Sequence, residues 1–291
     1  MLRWLETFPV PENSPAHLVR HLHLSIGEYG GAPEKFFEYI PWFTNVEKAT
    51  LLNYEDFGLL WIPPFWRLPQ SVTSLTIGPY THGGLMRVRD IMSQLPNLDD
   101  LSLSWSYPER RDRALLGTGR VLRGRFSGKL ELLRGCAGDP DVVDMLLEIP
   151  TGLHFTEVNI QNTHECLFSA VRLANVCAET LVKFSYTVEL HCKEPFPLLQ
   201  LVLAREVLTL TLSPDIGVYE ASEQSFDFSM FPNLQEVNFG VGWVDGGLHW
   251  IPKALSTLRP ATSPRLSAIQ INFTPRIYQA MRRNRGQNRG E

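Results

Sequence analysis

One hydrophobic pattern recurs along the chain. With φ for an apolar residue and x for any residue, it reads φ-x-x-φ-x-φ, and its second half has the two-residue period of a β-strand. Complete copies begin at Val19, Val46, Val72, Leu98, Phe155, Leu181, Val207, Leu234 and Leu266. A degenerate copy begins at Ser127, where Leu130 and Leu132 supply the two later apolar positions. Successive copies start 26 to 32 residues apart, so the pattern predicts ten regularly spaced strands.

The segments between the copies are mostly typical of helices. Apolar residues recur at helical spacing in 84–95, and 139–149 begins with an acidic N-cap and a first-turn proline. Helices are also predicted over 33–43, 164–181 and 246–258. Strand and helix alternating at this period are typical of leucine-rich repeats, whose units span about 20–29 residues. The predicted fold is therefore α/β, a leucine-rich-repeat-like solenoid. It is an irregular horseshoe with about ten parallel strands on its concave side and helices and irregular arcs on its convex side.

The solenoid prediction divides the chain into three parts. Residues 1–18 are expected to form a short helical segment or partial cap, 19–273 a single repeat domain, and 274–291 a basic, flexible tail. A solenoid exposes its apolar column at each end unless a cap covers it. Residues 2–7 are expected to supply a thin cover at the N-terminal end, and both ends are expected to be the weakest parts of the fold.

Polar residues alternate with the apolar ones in every predicted strand and are expected to line the concave side. They are His21, His23, Lys48, Thr50, Ser74, Thr76, Asp100, Ser102, Lys129, Glu131, Glu157, Asn159, Lys183, Ser185, Thr209, Thr211, Glu236, Asn238, Ala268 and Gln270. Repeat proteins commonly bind partners through such surfaces. All of these positions except Lys129, Glu131, Ala268 and Gln270 are therefore candidate binding residues. The alternative is that they form only the solvated side of a sheet.

Composition and charge narrow the function classes. The chain has 27 basic and 31 acidic residues, a net charge of −4, which excludes a globally basic nucleic-acid binder. It is 44% hydrophobic and 20% charged, as folded proteins are. No stretch approaches the roughly 20 apolar residues of a membrane span. The N-terminal sequence lacks the apolar region of a signal peptide. We therefore expect an intracellular protein, cytoplasmic or nuclear, with no membrane partner.

Two basic segments and four tryptophans offer further candidates. Residues 108–125 hold six arginines, and the tail holds five more. Such segments can contact RNA or an acidic partner, although a solvated loop and a frayed tail are favoured. The tryptophans are Trp105 and Trp243, just past their strands, and Trp61 and Trp66, in a convex segment. Exposed tryptophans would be interaction hot spots, but packing within the fold is the favoured interpretation.

Signatures of catalysis and metal binding are absent from the sequence. The cysteines, at 136, 166, 177 and 192, lack C-x-x-C spacing, so reduced and mostly buried thiols are expected. His17, His21 and His23 have no carboxylate or cysteine close in sequence to complete a metal site. Neither H-E-x-x-H nor G-x-S-x-G occurs. We therefore predict no catalytic residue, no cofactor and no metal, and a protein that is not an enzyme.

Several phrases of the chain together resemble a known family. SPAHLVRHLHLS, FTNVEKATL, LPNLDDLSL, FDFSMFPNLQEVNFGV and PRLSAIQINF, in this order over about residues 10–273, resemble basidiomycete fungal leucine-rich-repeat proteins described as F-box-like or F-box-associated. The resemblance implies a non-catalytic scaffold that presents a surface to a protein target. It also implies the target-recognition part of a cullin-type ubiquitin ligase, in which an F-box, where present, docks the ligase adaptor.

The sequence departs from this family in two respects. Only 18 residues precede Val19, so the F-box is expected to be missing, and an adaptor would be a partner only if an F-box exists upstream. The asparagine or cysteine that usually follows each strand is also absent, and irregular turns are expected. The alternatives are a free-standing repeat protein or truncated gene model with no ubiquitin role and, more weakly, nucleic-acid binding through the basic segments.

Overall fold

In the computed structural model the described residues are 6–8, 10–26, 38–53, 67–80, 84–105, 121–133, 140–162, 167–188, 209–214, 227–242 and 250–274. They contain one sheet of ten strands. The strands are β1 (His21–Ile26), β2 (Lys48–Asn53), β3 (Ser74–Tyr80), β4 (Asp100–Trp105), β5 (Lys129–Leu133), β6 (Glu157–Asn162), β7 (Lys183–Val188), β8 (Thr209–Pro214), β9 (Glu236–Gly242) and β10 (Ala268–Thr274).

Each strand begins two residues after the first apolar position of its hydrophobic pattern. β1 begins at His21 after Val19, and β5 begins at Lys129 after Ser127, the start of the degenerate copy. The strands lie in chain order from β1 to β10, and each pairs in parallel with the next. Parallel neighbours require a crossover connection, which the segments between the strands supply. The predicted α/β class and strand positions are therefore confirmed.

Besides the helical residues 38–39 and short 3-10 turns, four α-helices lie within the described residues. They are α1 (Gly84–Met92), α2 (Pro140–Leu147), α3 (Leu167–Val176) and α4 (Trp250–Leu255). Each falls inside a predicted helix and ends two to five residues before the predicted C-terminal end. The helix expected over 33–43 is described only from residue 38, where residues 38–39 are α-helical and Ile40–Trp42 continue as a 3-10 turn. None of the helices in the described part of the chain is long and apolar enough to cross a membrane.

The strands and helices share one hydrophobic core. In β4, Leu101 and Leu103 are 1% and 0% exposed, whereas Ser102 between them is only half-buried. Helix residues such as Val88 and Leu146 belong to the same cluster of buried side chains. Burying a side chain such as leucine contributes about 1.5–3 kcal/mol. The alternation in the sequence therefore determines which face of the sheet packs against the helices.

Phe126 fills the position that the degenerate copy leaves without an apolar side chain. Ser127 is exposed and donates a hydrogen bond to the Asp99 carboxylate, at 2.8 Å. Phe126 is fully buried and packs edge-to-face against Phe155, with ring centroids 6.0 Å apart. Its φ of 48° lies in the left-handed region, which a bulky residue rarely adopts. A Cβ at Gly124 would lie 2.7 Å from this ring, so the glycine leaves room for it.

Polar side chains just before the strands link each unit to the preceding one. Each of these residues directly precedes the first apolar position of a copy and donates a hydrogen bond to a backbone carbonyl about one period earlier. The bonds run from Asn45 to His17 (2.7 Å), Ser71 to Val46 (2.8 Å), Asn97 to Gln70 (3.1 Å) and Thr180 to Phe155 (3.1 Å). Side-chain donors at the strand entries thus satisfy carbonyls that would otherwise need other partners.

The positions after the strands, where the family consensus asparagine is missing, are described in only part of the chain. Tyr80, Gly242 and Thr274 are the final residues of β3, β9 and β10, so there the strand continues over the position expected to form a turn. The other positions after the strands lie outside the described residues, and the prediction of irregular turns remains a prediction for them.

Residues 10–18, just before β1, contribute to the core at the N-terminal end of the sheet. Two 3-10 turns lie in this segment, and Ala16 within them is fully buried in the shared core. Leu22 and Leu24 of β1 are 2% and 9% exposed, so this end of the apolar column is covered. The predicted cover by residues 2–7 falls mostly outside the described residues. The cover that the structure describes therefore consists of 3-10 turns close to β1.

Cys177 is expected to resist alkylation while the protein is folded. It is a free, buried cysteine at the end of α3, and burial raises the pKa of its thiol to about 11. The reactive thiolate is therefore scarce at pH 8. In a variant with Cys136, Cys166 and Cys192 replaced by alanine, iodoacetamide should label Cys177 only after urea unfolding. Fast labelling of the native protein, followed by mass spectrometry, would contradict this burial.

Candidate functional site

The polar residues of the strands form one continuous surface, which we call the polar face. It consists of the first and third residues of each strand, from His21 and His23 in β1 to Ala268 and Gln270 in β10. Parallel pairing in register aligns equivalent positions in two rows across neighbouring strands, which lie about 4.8 Å apart. All sixteen candidate binding residues occupy these rows. The side chains of Thr209 and Thr211 in β8 lie outside the described set.

The two rows differ in charge. The first row, at the start of each strand, alternates in sign through Asp100, Lys129, Glu157 and Lys183. In the second row, Glu131 is the one residue with a formal charge when histidine is counted neutral; the other positions are His23, hydroxyls and amides. A partner lying across the strands would therefore meet hydrogen-bonding groups along one row and alternating charges along the other.

Lys129 and Glu131 form the centre of the polar face. Lys129 Nζ lies 2.6 Å from Glu131 Oε1, and Glu131 also accepts hydrogen bonds from Ser102 and Asn159. Burial favours a raised pKa for Glu131, but these hydrogen bonds and the lysine charge outweigh it and lower the pKa. The hydrogen bond with Glu131 raises the pKa of Lys129 against a smaller effect of burial. The pair is ionised at neutral pH, and acid breaks it as the pH falls through the lowered pKa of Glu131.

The neighbouring charges are balanced within the face. Lys183 Nζ lies 3.7 Å from Glu157 Oε2, with both side chains nearly half exposed. Asp100 Oδ1 accepts a hydrogen bond from the backbone N–H of Lys129, at 2.8 Å. Exposed ion pairs of this kind contribute little to stability. Over the whole polar face three lysines stand against four carboxylates, so the surface does not attract a polyanion.

A second group of polar residues lies near the C-terminal end of the polar face. Glu236 Oε1 accepts hydrogen bonds from Asn238 Nδ2, at 3.0 Å, and from Gln270 Nε2, at 3.1 Å. Asn238 Oδ1 is buried and has no donor among the described residues. An unsatisfied buried acceptor costs about 1–3 kcal/mol, which a bound donor would recover. This carbonyl is therefore a point at which a partner could gain a hydrogen bond.

Three residues outside the candidate set belong to these clusters. Lys129, Glu131 and Gln270 are not among the candidate binding residues, yet Lys129 and Glu131 make the shortest of these side-chain contacts and Gln270 bonds to Glu236. The opposite charges of Lys129 and Glu131, two residues apart in one strand, are a signal that the sequence carries. The contact of Gln270 with Glu236 joins residues 34 positions apart, and only the register of β9 and β10 reveals it.

The remaining candidates divide between described and undescribed residues. Trp105 was expected just past its strand, but it is the last residue of β4 and pairs with Tyr80, because the strand extends over it. Trp61, Trp66 and Trp243, residues 108–120 and the tail from residue 275 lie outside the described residues.

The histidines of the N-terminal end are placed separately. His21 and His23 lie on the polar face of β1, whereas His17 Nδ1 lies 2.7 Å from the Ser14 carbonyl in the preceding turn. Among the described residues there is no group of three or more His, Cys, Asp or Glu side chains that could hold a metal ion. The histidines that the structure describes thus provide no metal site together.

Comparison with known proteins identifies no relative of this chain. The chain matches no model of a known protein family, no curated protein and no solved structure. The polar face and the recurring pattern that produces it are therefore the features on which a function can be proposed.

Proposed function

We propose that this chain is a non-catalytic protein-interaction scaffold whose polar face binds a protein target. The observation that carries the proposal is the length of that face together with the balance of its positive and negative charges. It runs across ten strands, and its central charges are already paired with one another. Nine intervals of about 4.8 Å give a length of about 43 Å, which suits a polypeptide surface better than a small ligand.

We also propose that the ten-stranded sheet belongs to a leucine-rich-repeat-like solenoid, an irregular horseshoe with the polar face on its concave side. Chain-ordered parallel strands and one strand per 26 to 32 residues support this architecture. The hydrogen bonds from Asn45 and Asn97 to the preceding unit also support it, because they recur with the hydrophobic pattern.

The resemblance to fungal F-box-like proteins extends the proposal to a biological role. In that role the chain is the target-recognition region of a cullin-type ubiquitin ligase, and it needs no cofactor. The ligase adaptor would join only through an F-box supplied upstream of the repeats. The alternative is a free-standing repeat protein that binds its target without any ubiquitin connection.

Substitutions on the polar face should abolish target binding while the fold persists. Thr76→Arg and Ser185→Arg each place a large cation in the second row, where both native side chains are half-buried. Asn175→Arg, on an exposed position of α3, is the matched control with the same added charge. In affinity purification from the native source, proteins retained by wild type and by Asn175→Arg should be lost from at least one polar-face variant.

The same purification separates the biological roles. Ligase adaptor components among the proteins lost from the polar-face variants would support the ubiquitin role, and their absence would favour the free-standing scaffold. Identical protein sets from all variants would contradict binding through the polar face.

Nucleic-acid binding through residues 108–125 and 274–291 is the weaker alternative, favoured only by their arginines. Binding of this kind falls steeply with salt, because phosphate contacts release counterions. Retention of RNA at low salt, with loss after neutralising these arginines and no effect of Thr76→Arg, would replace the scaffold proposal.

A further inference from the structure

The last strand of the sheet differs from the strands before it in how well its apolar residues are covered. Ile269 and Ile271 of β10 are 45% and 42% exposed, whereas Val237 and Phe239, their partners in β9, are fully buried. No strand among the described residues pairs with the outer edge of β10. The hydrophobic column of the sheet is therefore open at this end, unlike the covered end at β1.

A groove lies beside this open edge. Its volume is about 490 Å³, and its walls include Leu255, Leu258, Leu266 and Ile269. Ser263 also lines it and is only 6% exposed, and its hydroxyl has no hydrogen-bond partner among the described residues. An unsatisfied buried hydroxyl is unfavourable. The groove thus combines apolar walls with a polar group that lacks a partner.

The segment that lines the groove carries charge of one sign, and Glu236 of β9, which bonds to Gln270, lies on the polar face. Residues 250–274 contain Lys253, Arg259 and Arg265 and no acidic residue. Arg259 lines the groove, and both arginines are exposed. β10 itself has no charged residue and no proline, the devices with which natural proteins usually protect an edge strand.

We propose that this edge docks an extended acidic polypeptide segment, which adds to the sheet beside β10. Backbone hydrogen bonds to the free edge would hold the segment, as in other cases of strand addition. One apolar side chain would enter the groove and cover Ile269, and a backbone group of the segment would pair with the Ser263 hydroxyl. Carboxylates two residues before and after that side chain project to the same face of the added strand, and they would lie near Arg259 and Arg265. This site uses the outer edge and the apolar side of β10, whereas the polar face uses the opposite side of the same strand.

The charges and the apolar groove favour an acidic polypeptide over two other partners, a second copy of the chain and a nucleic acid. A second copy pairing through the same edge would bring Arg259 and Arg265 of both copies together, and residues 250–274 contain no acidic residue that would compensate them. A nucleic acid would use the arginines but would leave the apolar groove and the free strand edge unsatisfied. An extended segment with one apolar residue and carboxylates two residues to either side of it satisfies all three features together.

Methyl NMR of the full chain, labelled at the isoleucine δ1 methyl groups, tests the proposal. The probe is an acetylated peptide of sequence TETITET, in which both glutamates share a face with the central isoleucine, and the controls are TKTITKT and a ten-nucleotide oligouridine. The acidic peptide should shift the Ile269 and Ile271 signals saturably and leave core residues such as Ile77 and Ile160 unmoved. The basic peptide and the RNA should leave all these signals in place.

Matched substitutions locate the site. Ile269→Thr should weaken binding of the acidic peptide about tenfold, whereas Val176→Thr, at a position also 45% exposed, should leave it unchanged. Arg259→Gln combined with Arg265→Gln should weaken binding and remove most of its salt dependence. The control is Arg123→Gln combined with Arg125→Gln, two exposed arginines near β5. Circular dichroism confirms that each variant is folded.

Three results would overturn the proposal. The first is an acidic peptide that leaves Ile269 and Ile271 unmoved. The second is equal binding by the basic peptide or the RNA. The third is a shift of the β10 signals with protein concentration alone, accompanied by a dimer in ultracentrifugation, which would assign the edge to a second copy. Loss of target binding through the polar face would not change any of these readouts, because the probe peptide reports on the edge alone.

Discussion

Replacing Leu101 with aspartate should unfold a large part of the molecule. Leu101 is 1% exposed, and the register places it beside Leu75 of β3 and Leu130 of β5. A carboxylate at this position would lie in the apolar core without a partner. The cost is about 4 kcal/mol or more, against a total stability of about 5–15 kcal/mol for a typical protein. Urea unfolding followed by circular dichroism measures the loss.

The control must add the same carboxylate to the opposite face of the sheet. Thr76→Asp does so in the neighbouring strand, where the side chain is half-buried on the polar face, and its effect should be below about 1 kcal/mol. Ser102 is a poor control, because its hydroxyl donates a hydrogen bond to Glu131 and an aspartate there would repel that carboxylate. Equal losses for Leu101→Asp and Thr76→Asp would contradict the assignment of faces.

The strands were predictable because their signal is local and repeated. Each copy of the pattern places its apolar residues on one face, and a slip of one residue would expose all of them. Helix ends were less predictable. The apolar spacing extends to Leu95, but α1 ends at Met92, and Ser93 then bonds back to the Asp90 carbonyl. The side chain of Leu95 is still fully buried. An apolar residue at helical spacing therefore indicated burial correctly here but not membership of the helix.

The candidate site was predictable as a surface but not as a set of contacts. Alternation alone assigns residues such as Glu157 and Asn159 to the polar face. It does not show that Lys183 pairs with Glu157, since that contact depends on the register of two strands 26 residues apart. The sequence predicted only that the C-terminal end of the fold is weak, and it did not predict the groove at β10. Its depth and its unpartnered Ser263 hydroxyl arise from how the chain between α4 and β10 packs, which no periodicity reports.

The degenerate fifth copy shows how tertiary packing replaces a missing residue of the pattern. Serine at position 127 cannot fill an apolar pocket, and the chain fills it with Phe126 by adopting a left-handed conformation. That conformation costs about 1–3 kcal/mol, which the buried aromatic ring more than offsets. The hydrophobic pattern is therefore complete in space at β5 although it is incomplete in the sequence.

Phe126→Ala should accordingly destabilise the protein by about 3–5 kcal/mol, as expected for a fully buried aromatic ring. The substitution leaves a cavity against Phe155 and retains a Cβ in the left-handed conformation. Ser127→Ala, at the exposed neighbouring position, removes only a surface hydrogen bond and should cost less than about 1 kcal/mol. Urea unfolding of the two variants compares them directly.

Phe126→Gly separates the loss of the ring from the strain of the backbone. Glycine adopts a φ of 48° without steric cost, whereas alanine there pays about 1–2 kcal/mol. Phe126→Gly should therefore be no less stable than Phe126→Ala, although glycine elsewhere usually destabilises relative to alanine because the unfolded chain gains entropy. A glycine variant less stable than the alanine variant by about 1 kcal/mol would show that residue 126 is not held in the left-handed region. A serine-to-alanine loss as large as that of Phe126→Ala would show that Ser127, not Phe126, anchors this copy of the pattern.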